Sequence, residues 1–435
     1  MAIDLEVRNI GANILDWHPK PRFYYGWLVL GTAALGAFIA TGVAQTVLGG
    51  IQDLIANDMG WDRTTIAFAA TIATWVSGMT MPFVGKLVDR YGPRYMMLAA
   101  ALIVSACSFT LSGVNSVWQF YVAYIISRSF AGPNLQNLVP RTVAVNFFRR
   151  KRNLALGITA LNRIGGEALN LLIITLVASA FSWRAAYRTL GIIALPLCIP
   201  LFLIMRRRPE DIGLRPDGDT APSMPRARAG AAFAPPAEYA WGLREVIHKP
   251  PFWFIVWAEF LSVTTTAAVA FQLVPFLTDN GMPYRTAAFA LMISVLLGGL
   301  SVPLWGHLSD KFTIRRLTMT VMLATSVPTA AFAFIDPQSV GFYASIIWGI
   351  ASGGIPIVGS MMIGEYFGRR SFGAVSGLTG PFRTAAMGLG PALGALIVNA
   401  TDAYTAIFAL AVASYIVSAT LTYAVRYPSV PNRVS

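Results

Sequence analysis

Charge is scarce in this 435-residue chain, where Asp, Glu, Lys and Arg together make up 12%. A soluble globular protein carries about twice that share, so an ordinary soluble fold is excluded. Cysteine is nearly absent. Cys107 and Cys198 both fall within apolar stretches and read as small buried residues, not as a disulfide or a thiolate metal site. The three histidines, His18, His248 and His307, lie near or beyond the ends of apolar runs, and no His/Cys metal spacing occurs. No glycine-rich, phosphate-cradling loop precedes a helix and no catalytic motif is found. These absences argue against an enzyme and against any cofactor, and leave a gradient as the source of driving energy. The stretch Met1 to Arg22 lacks the basic-then-apolar order of a secretory leader, so the first apolar run itself is expected to direct insertion.

What the chain has in abundance is apolar residues, 55% of the total. Runs of about 20 apolar residues are long enough to cross a bilayer as helices. Twelve are found, at 24–50, 64–84, 94–112, 117–146, 153–181, 186–205, 251–277, 285–305, 315–335, 338–366, 371–399 and 402–425. The longest gap follows the sixth run. It holds Arg206, Arg207 and Arg208 and then a Pro/Ala/Gly-rich stretch, which reads as a linker between two halves. Three segments are therefore expected: an N-terminal bundle over 1–205, a linker over 206–250 and a C-terminal bundle over 251–435. The formal charge of +13 is a matter of topology. Most of the 33 Lys+Arg fall on the side of the termini and linker, whereas only Arg63, Arg184, Arg188 and Arg285 fall on the other. The positive-inside rule then places both termini in the cytoplasm, as expected of an inner-membrane protein. It also removes the need for a nucleic-acid partner.

The two halves repeat one another. Phe147, Arg149, Arg150, Gly157 and Arg163 recur 220 positions later as Phe367, Arg369, Arg370, Gly377 and Arg383. The loop Gly85-Lys-Leu-Val-Asp89-Arg90 returns after the eighth span as Gly306-His-Leu-Ser-Asp310-Lys311. Two six-helix units in one chain are the signature of a transporter fold.

At these loops the chain resembles the major facilitator superfamily, whose most specific short signature is G-x-x-x-D-R/K between the second and third helices of each half. The resemblance implies twelve transmembrane helices in two pseudo-symmetric six-helix bundles, an all-α membrane protein. It also implies a cytoplasmic gate at Asp89, Arg90, Asp310 and Lys311. A narrower likeness lies in Phe23-Tyr-Tyr-Gly-Trp27, in Arg208-Pro-Glu-Asp-Ile-Gly-Leu-Arg-Pro-Asp-Gly218 and in Trp241-Gly-Leu-Arg-Glu245 ahead of Pro251-Phe-Trp253. These segments are similar to the oxalate/formate antiporter and monocarboxylate porter branch, which moves small organic anions. There are departures. The lysine of helix one and the Asp/Arg pair of helix eight found in monocarboxylate porters are missing. Of the basic residues in helices eight and eleven of oxalate-type antiporters, only the second is matched, by Arg383.

Arg163 and Arg383 stand out physically. A guanidinium within a membrane span costs about 2.5–3.5 kcal/mol even on the mildest scale. Both lie near mid-membrane, roughly 15 Å and 18 Å from the cytoplasmic ends of their spans at 1.5 Å per residue. Such side chains match a planar carboxylate well, so both are expected to bind an anion, helped by Asn162. Arg128 in span four is a further candidate, as substrate contact or as gating partner. Glu167 follows Arg163 by one helical turn and is the expected proton-linked group, as against a residue that merely neutralises an arginine. Arg383 has no acidic residue within its own span. Glu259 in span seven is a second candidate proton site, although snorkelling to the cytoplasmic interface is the favoured reading for it. Gln45 and Gln272 are expected substrate contacts because the resemblance places spans one and seven along the cavity, and interhelical glue is the alternative for each.

The expectation is thus a monomeric secondary transporter of a small mono- or dicarboxylate, working by alternating access in the bilayer and coupled to protons. Exchange against a counter-anion is one alternative. Proton-driven export of cationic or amphipathic compounds through Glu167 is another.

Overall fold

Helix is the only regular structure among the residues that the computed structural model describes, which are 19, 21–148, 151–218, 241–309, 311–334 and 337–427. Among these residues, ten helices are long and apolar enough to cross a membrane. The fourth and ninth expected spans are helical too. The fourth consists of Val117–Ala131 and Leu138–Phe147 on either side of a wide π turn, Gly132–Asn137, and the ninth is Ile314–Phe334. The protein is therefore an all-α, multi-pass membrane protein. Spans ten and eleven are joined through Gly368, whose φ of 75° and ψ of 163° form a backbone state open essentially to glycine alone.

The first span differs from its sequence reading. It runs to Met59 instead of residue 50, as two helices, Tyr25–Thr41 and Gln45–Met59, broken at Gly42–Ala44. The break is supported by two side chains. Tyr124 Oη donates to the Val43 carbonyl at 3.1 Å, and Asn170 Nδ2 donates to the Phe38 carbonyl at 2.8 Å and Thr41 Oγ1 at 2.9 Å. In an apolar surround a freed carbonyl must find such a donor.

The chain divides into two compact units. One is formed by Met1–Ala44 and Val76–Pro225, the other by Gln45–Trp75 and Arg226–Ser435. The division departs from one drawn at the linker alone, because residues 45–75 pack with the C-terminal part of the chain. Within the first unit, the first span (Tyr25–Thr41) packs on the fifth (Arg152–Ala180), and the third (Pro93–Ser112) packs on the sixth (Trp183–Ile204). Within the second, the seventh (Pro250–Asp279) packs on the eleventh, and the ninth packs on the twelfth (Tyr404–Ala424). The same pairings recur in the same order, which is the structural counterpart of the sequence repeat.

Prolines inside the spans remove helical donors, since a proline at position i leaves the carbonyl at i−4 unpaired. Three such carbonyls are taken by side chains. Pro133 frees Ser129, which accepts from Thr80 Oγ1 at 3.3 Å; Pro275 frees Phe271, which accepts from Gln52 Nε2 at 2.8 Å; Pro391 frees Met387, which accepts from Gln45 Nε2 at 3.3 Å.

Spans eight and ten meet through glycine. A Cβ at Gly298 would lie 2.8 Å from the Gly349 carbonyl oxygen, and one at Gly349 would lie 2.6 Å from Ser294 Cα. Both clashes are with backbone, which cannot step aside. Gly349→Leu is therefore expected to destabilise the protein by about 1–3 kcal/mol or more, read as a lowered melting temperature of purified protein. Gly306→Ala, where nothing lies within 4 Å of the added Cβ, is the matched control and should leave it unchanged.

Candidate functional site

Among the described residues, each compact unit contains one arginine–glutamate pair inside a span. In the first unit Arg163 Nη1 lies 3.4 Å from Glu167 Oε2, on the same face of span five as the one-turn spacing requires. In the second unit Arg383 Nη1 lies 3.7 Å from Glu259 Oε1. This adds one partner and corrects one expectation. Arg383 does have an acidic neighbour, supplied by span seven. Glu259 does not snorkel to an interface; it is buried, and the close approach of Gly359, where a Cβ would lie 3.0 Å from the Glu259 carboxylate, leaves room for it. The two pairs are alike in exposure as well: the arginine side chains are 38% and 42% exposed, the glutamates 9% and 8%. A guanidinium has five N–H donors and each of these makes a single long contact with its glutamate. Most of its donors therefore remain for a further acceptor.

The other expected site residues are distributed as follows. Arg128 is buried, its Nε has no hydrogen-bond partner, and it forms no ion pair with Glu167 among the described residues. Asn162 is half-buried beside Arg163. Gln45 and Gln272 are both buried and both engaged within the second unit. Gln45 Nε2 donates to Met387 and its Oε1 accepts from Thr74 Oγ1 at 3.2 Å, while Gln272 Oε1 is 3.5 Å from Gln52 Nε2. That geometry favours interhelical glue for Gln45. At the expected gate, Arg90 is exposed with its guanidinium 5.4 Å from the centre of the Tyr91 ring, and Lys311 is exposed. Asp310 and the side chain of Asp89 fall outside the described residues.

One cluster escaped the sequence reading. Arg63, at the start of span two, directs Nε to Asp53 Oδ1 at 2.7 Å and Nη2 to Asp279 Oδ1 at 2.8 Å, and Nη1 donates to Tyr404 Oη at 2.8 Å. Tyr404 in turn donates to Asp279 Oδ2 at 2.7 Å, and Thr278 Oγ1 donates to Asp53 Oδ2 at 3.1 Å. All of these lie in the second unit, at the ends of spans one, two, seven and twelve. Each looks like an ordinary polar span end in the sequence. In the sequence Asp53 falls just beyond the first apolar run, 24–50, and only the extension of that helix to Met59 draws it in. Arg63, Asp279 and Tyr404, with Trp61, Gln272 and Asn399, line a cavity of about 630 Å³, a volume within the range of small-molecule pockets.

Similarity to known proteins extends over most of the chain. A profile described as Major Facilitator Superfamily matches residues 33–388. The oxalate:formate antiporter of Oxalobacter formigenes is 24% identical over 383 residues, covering 85% of each chain. Monocarboxylate transporter 4 of Mus musculus is 22% identical over 427 residues, covering 94% of this chain and 86% of the mouse protein. Among solved structures, a bacterial homolog of the human lysosomal transporter Spinster, in an inward-facing and unoccupied conformation, superposes with a TM-score of 0.70 at 14% identity, covering 94% of this chain and all of that one.

Proposed function

The chain belongs to the major facilitator superfamily, so it is a membrane transporter and not an enzyme, and from that premise we propose that it carries a small organic anion, a mono- or dicarboxylate, by proton-coupled alternating access. The observation that carries this reading is the pair of half-exposed arginines, each tethered loosely to one buried glutamate. Arg163 and Arg383 are the anion ligands. A substrate carboxylate takes the donors that Glu167 and Glu259 leave unused, and it does so best when the glutamate is protonated and no longer competes. Binding of an anion and uptake of a proton thereby favour one another, which is the linkage a symporter needs. Arg128 supplies a further positive charge in the first unit, and Asn162 a polar contact beside Arg163. The likeness to transporters named for oxalate, formate and monocarboxylates supports the same substrate class.

We place six-helix halves over 1–205 and 251–435, joined by the 206–250 linker. Both termini are cytoplasmic, the protein is monomeric in the inner membrane, and the cytoplasmic gate is at Asp89, Arg90, Asp310 and Lys311. A thermal-shift screen of purified protein tests the substrate class. A bound ligand stabilises by RT ln(1 + [L]/Kd), about 2.7 kcal/mol at a hundred times Kd. Small carboxylates such as oxalate, formate and lactate are expected to raise the melting temperature, more so at lower pH. A rise with lipophilic cations and none with carboxylates would replace this reading by export through Glu167.

A further inference from the structure

We infer that Gln45 and Gln52 are latch residues: their amides hold the 45–75 segment closed against spans seven and eleven by seating on the two backbone carbonyls that Pro391 and Pro275 leave without a helical donor. Gln45 and Gln52 are two turns apart on the helix Gln45–Met59 and so share a face. Their targets are Met387 at 3.3 Å and Phe271 at 2.8 Å, each four residues before its proline. A carbonyl buried in an apolar surround without a donor is costly, so closure is the state in which both prolines are tolerated. When the segment swings away, water entering the opened path takes the place of the amides. The exchange is then between two satisfied states, and a latch of this kind can close firmly and still release.

Three further observations point the same way. Gly49 lies against span seven so closely that a Cβ there would be 3.0 Å from the Phe271 carbonyl oxygen, and this lets the Gln52 amide reach its target. Gln52 Oε1 is buried without a hydrogen-bond partner, so the side chain is held by its donor alone. Trp75 Nε1, from the second span, donates to the Ala385 carbonyl at 3.1 Å. Gln45 and Trp75 thus grip span eleven at residues 385 and 387, directly after Arg383. Closing the latch fixes the stretch of helix that carries the anion ligand, and opening it frees that stretch. In the orientation proposed above this is the outward-facing side, so the inference rests on the alternating-access reading.

The test uses full-length protein with Cys107 and Cys198 replaced by serine and one reporter, Ala395→Cys. Ala395 lines the 630 Å³ cavity and is 3% exposed. Labelling by a membrane-impermeant maleimide in whole cells reports outward opening. Gln52→Leu and Gln45→Leu are each expected to speed labelling about three- to tenfold, the population shift that follows from losing one net hydrogen bond. The double change Gln52→Leu/Pro275→Ala separates a latch from mere packing. Replacing the proline returns a backbone donor to the Phe271 carbonyl, so both the thermal stability and the slow labelling lost in Gln52→Leu are expected to recover, which a mere packing loss would not do. Labelling of Gln52→Leu at the parent rate, or labelling that stays as fast in the double variant as in Gln52→Leu, would overturn the inference. Fast labelling in the variants that no carboxylate alters, in them or in the parent, would leave the latch standing and sink the anion reading instead.

Discussion

Arg383→Gln is expected to abolish carboxylate-dependent stabilisation and uptake. A neutral amide keeps the length and some hydrogen bonding of arginine but loses the charge and the two-pronged donor geometry. Removing one partner of a desolvated charge contact costs about 2–4 kcal/mol, on the order of 30- to 1,000-fold in affinity. Glu259 complicates the measurement. Without Arg383 it stays buried with no ion-pair partner among the described residues, which weakens the fold itself. The double variant Arg383→Gln/Glu259→Gln removes the stranded carboxylate. It should regain the parent melting temperature and still fail to respond to carboxylates. Stabilisation by oxalate or lactate at the parent concentration in the double variant would show that Arg383 is a packing residue and that the anion is held elsewhere.

The second large effect is expected at Glu167. If the Arg163–Glu167 pair is the proton-linked element, protonation of Glu167 releases Arg163, and uptake rises as the outside pH falls. Glu167→Gln mimics the protonated carboxyl at every pH. Uptake should therefore lose its pH response, and a proton gradient should no longer drive accumulation above equilibrium, although exchange of labelled for unlabelled substrate continues. Glu259→Gln, its counterpart in the second unit, is expected to weaken binding through Arg383 while leaving the pH response in place. Uptake that remains fully pH-dependent in Glu167→Gln and becomes flat in Glu259→Gln would move the coupling group to span seven.

Some of this is legible in the chain, for reasons specific to each element. Twelve spans can be counted because each must present about twenty apolar residues to lipid, and in the fourth that run is carried by two shorter helices on either side of the π turn Gly132–Asn137. Arg163 and Arg383 are conspicuous because a guanidinium in an apolar run has few tolerable explanations, and the repeat shows that they correspond. Glu167 is found by helical spacing alone, since residues four apart share a face in any helix.

The remainder depended on which helices meet. Glu259 is 124 positions from Arg383, and its own span shows no reason for it to turn inward. Only the packing of span seven on span eleven, with Gly359 making room, brings carboxylate and guanidinium to 3.7 Å. That contact also removes the asymmetry between the two arginines that their separate sequence neighbourhoods suggested. The prolines at 275 and 391 and the glutamines at 45 and 52 are all visible in the chain, as are Arg63, Asp53, Asp279 and Tyr404. A proline tells which carbonyl is freed, because that follows from the local i−4 geometry. Which donor reaches it does not follow, because partners far apart in the chain are chosen by tertiary packing. Local pattern was thus enough for the class of protein, the apolar spans and the two intramembrane cations. The partners of those cations, and the packing of residues 45–75 with the second unit, came from the folded chain, because both depend on contacts between helices that no local pattern encodes.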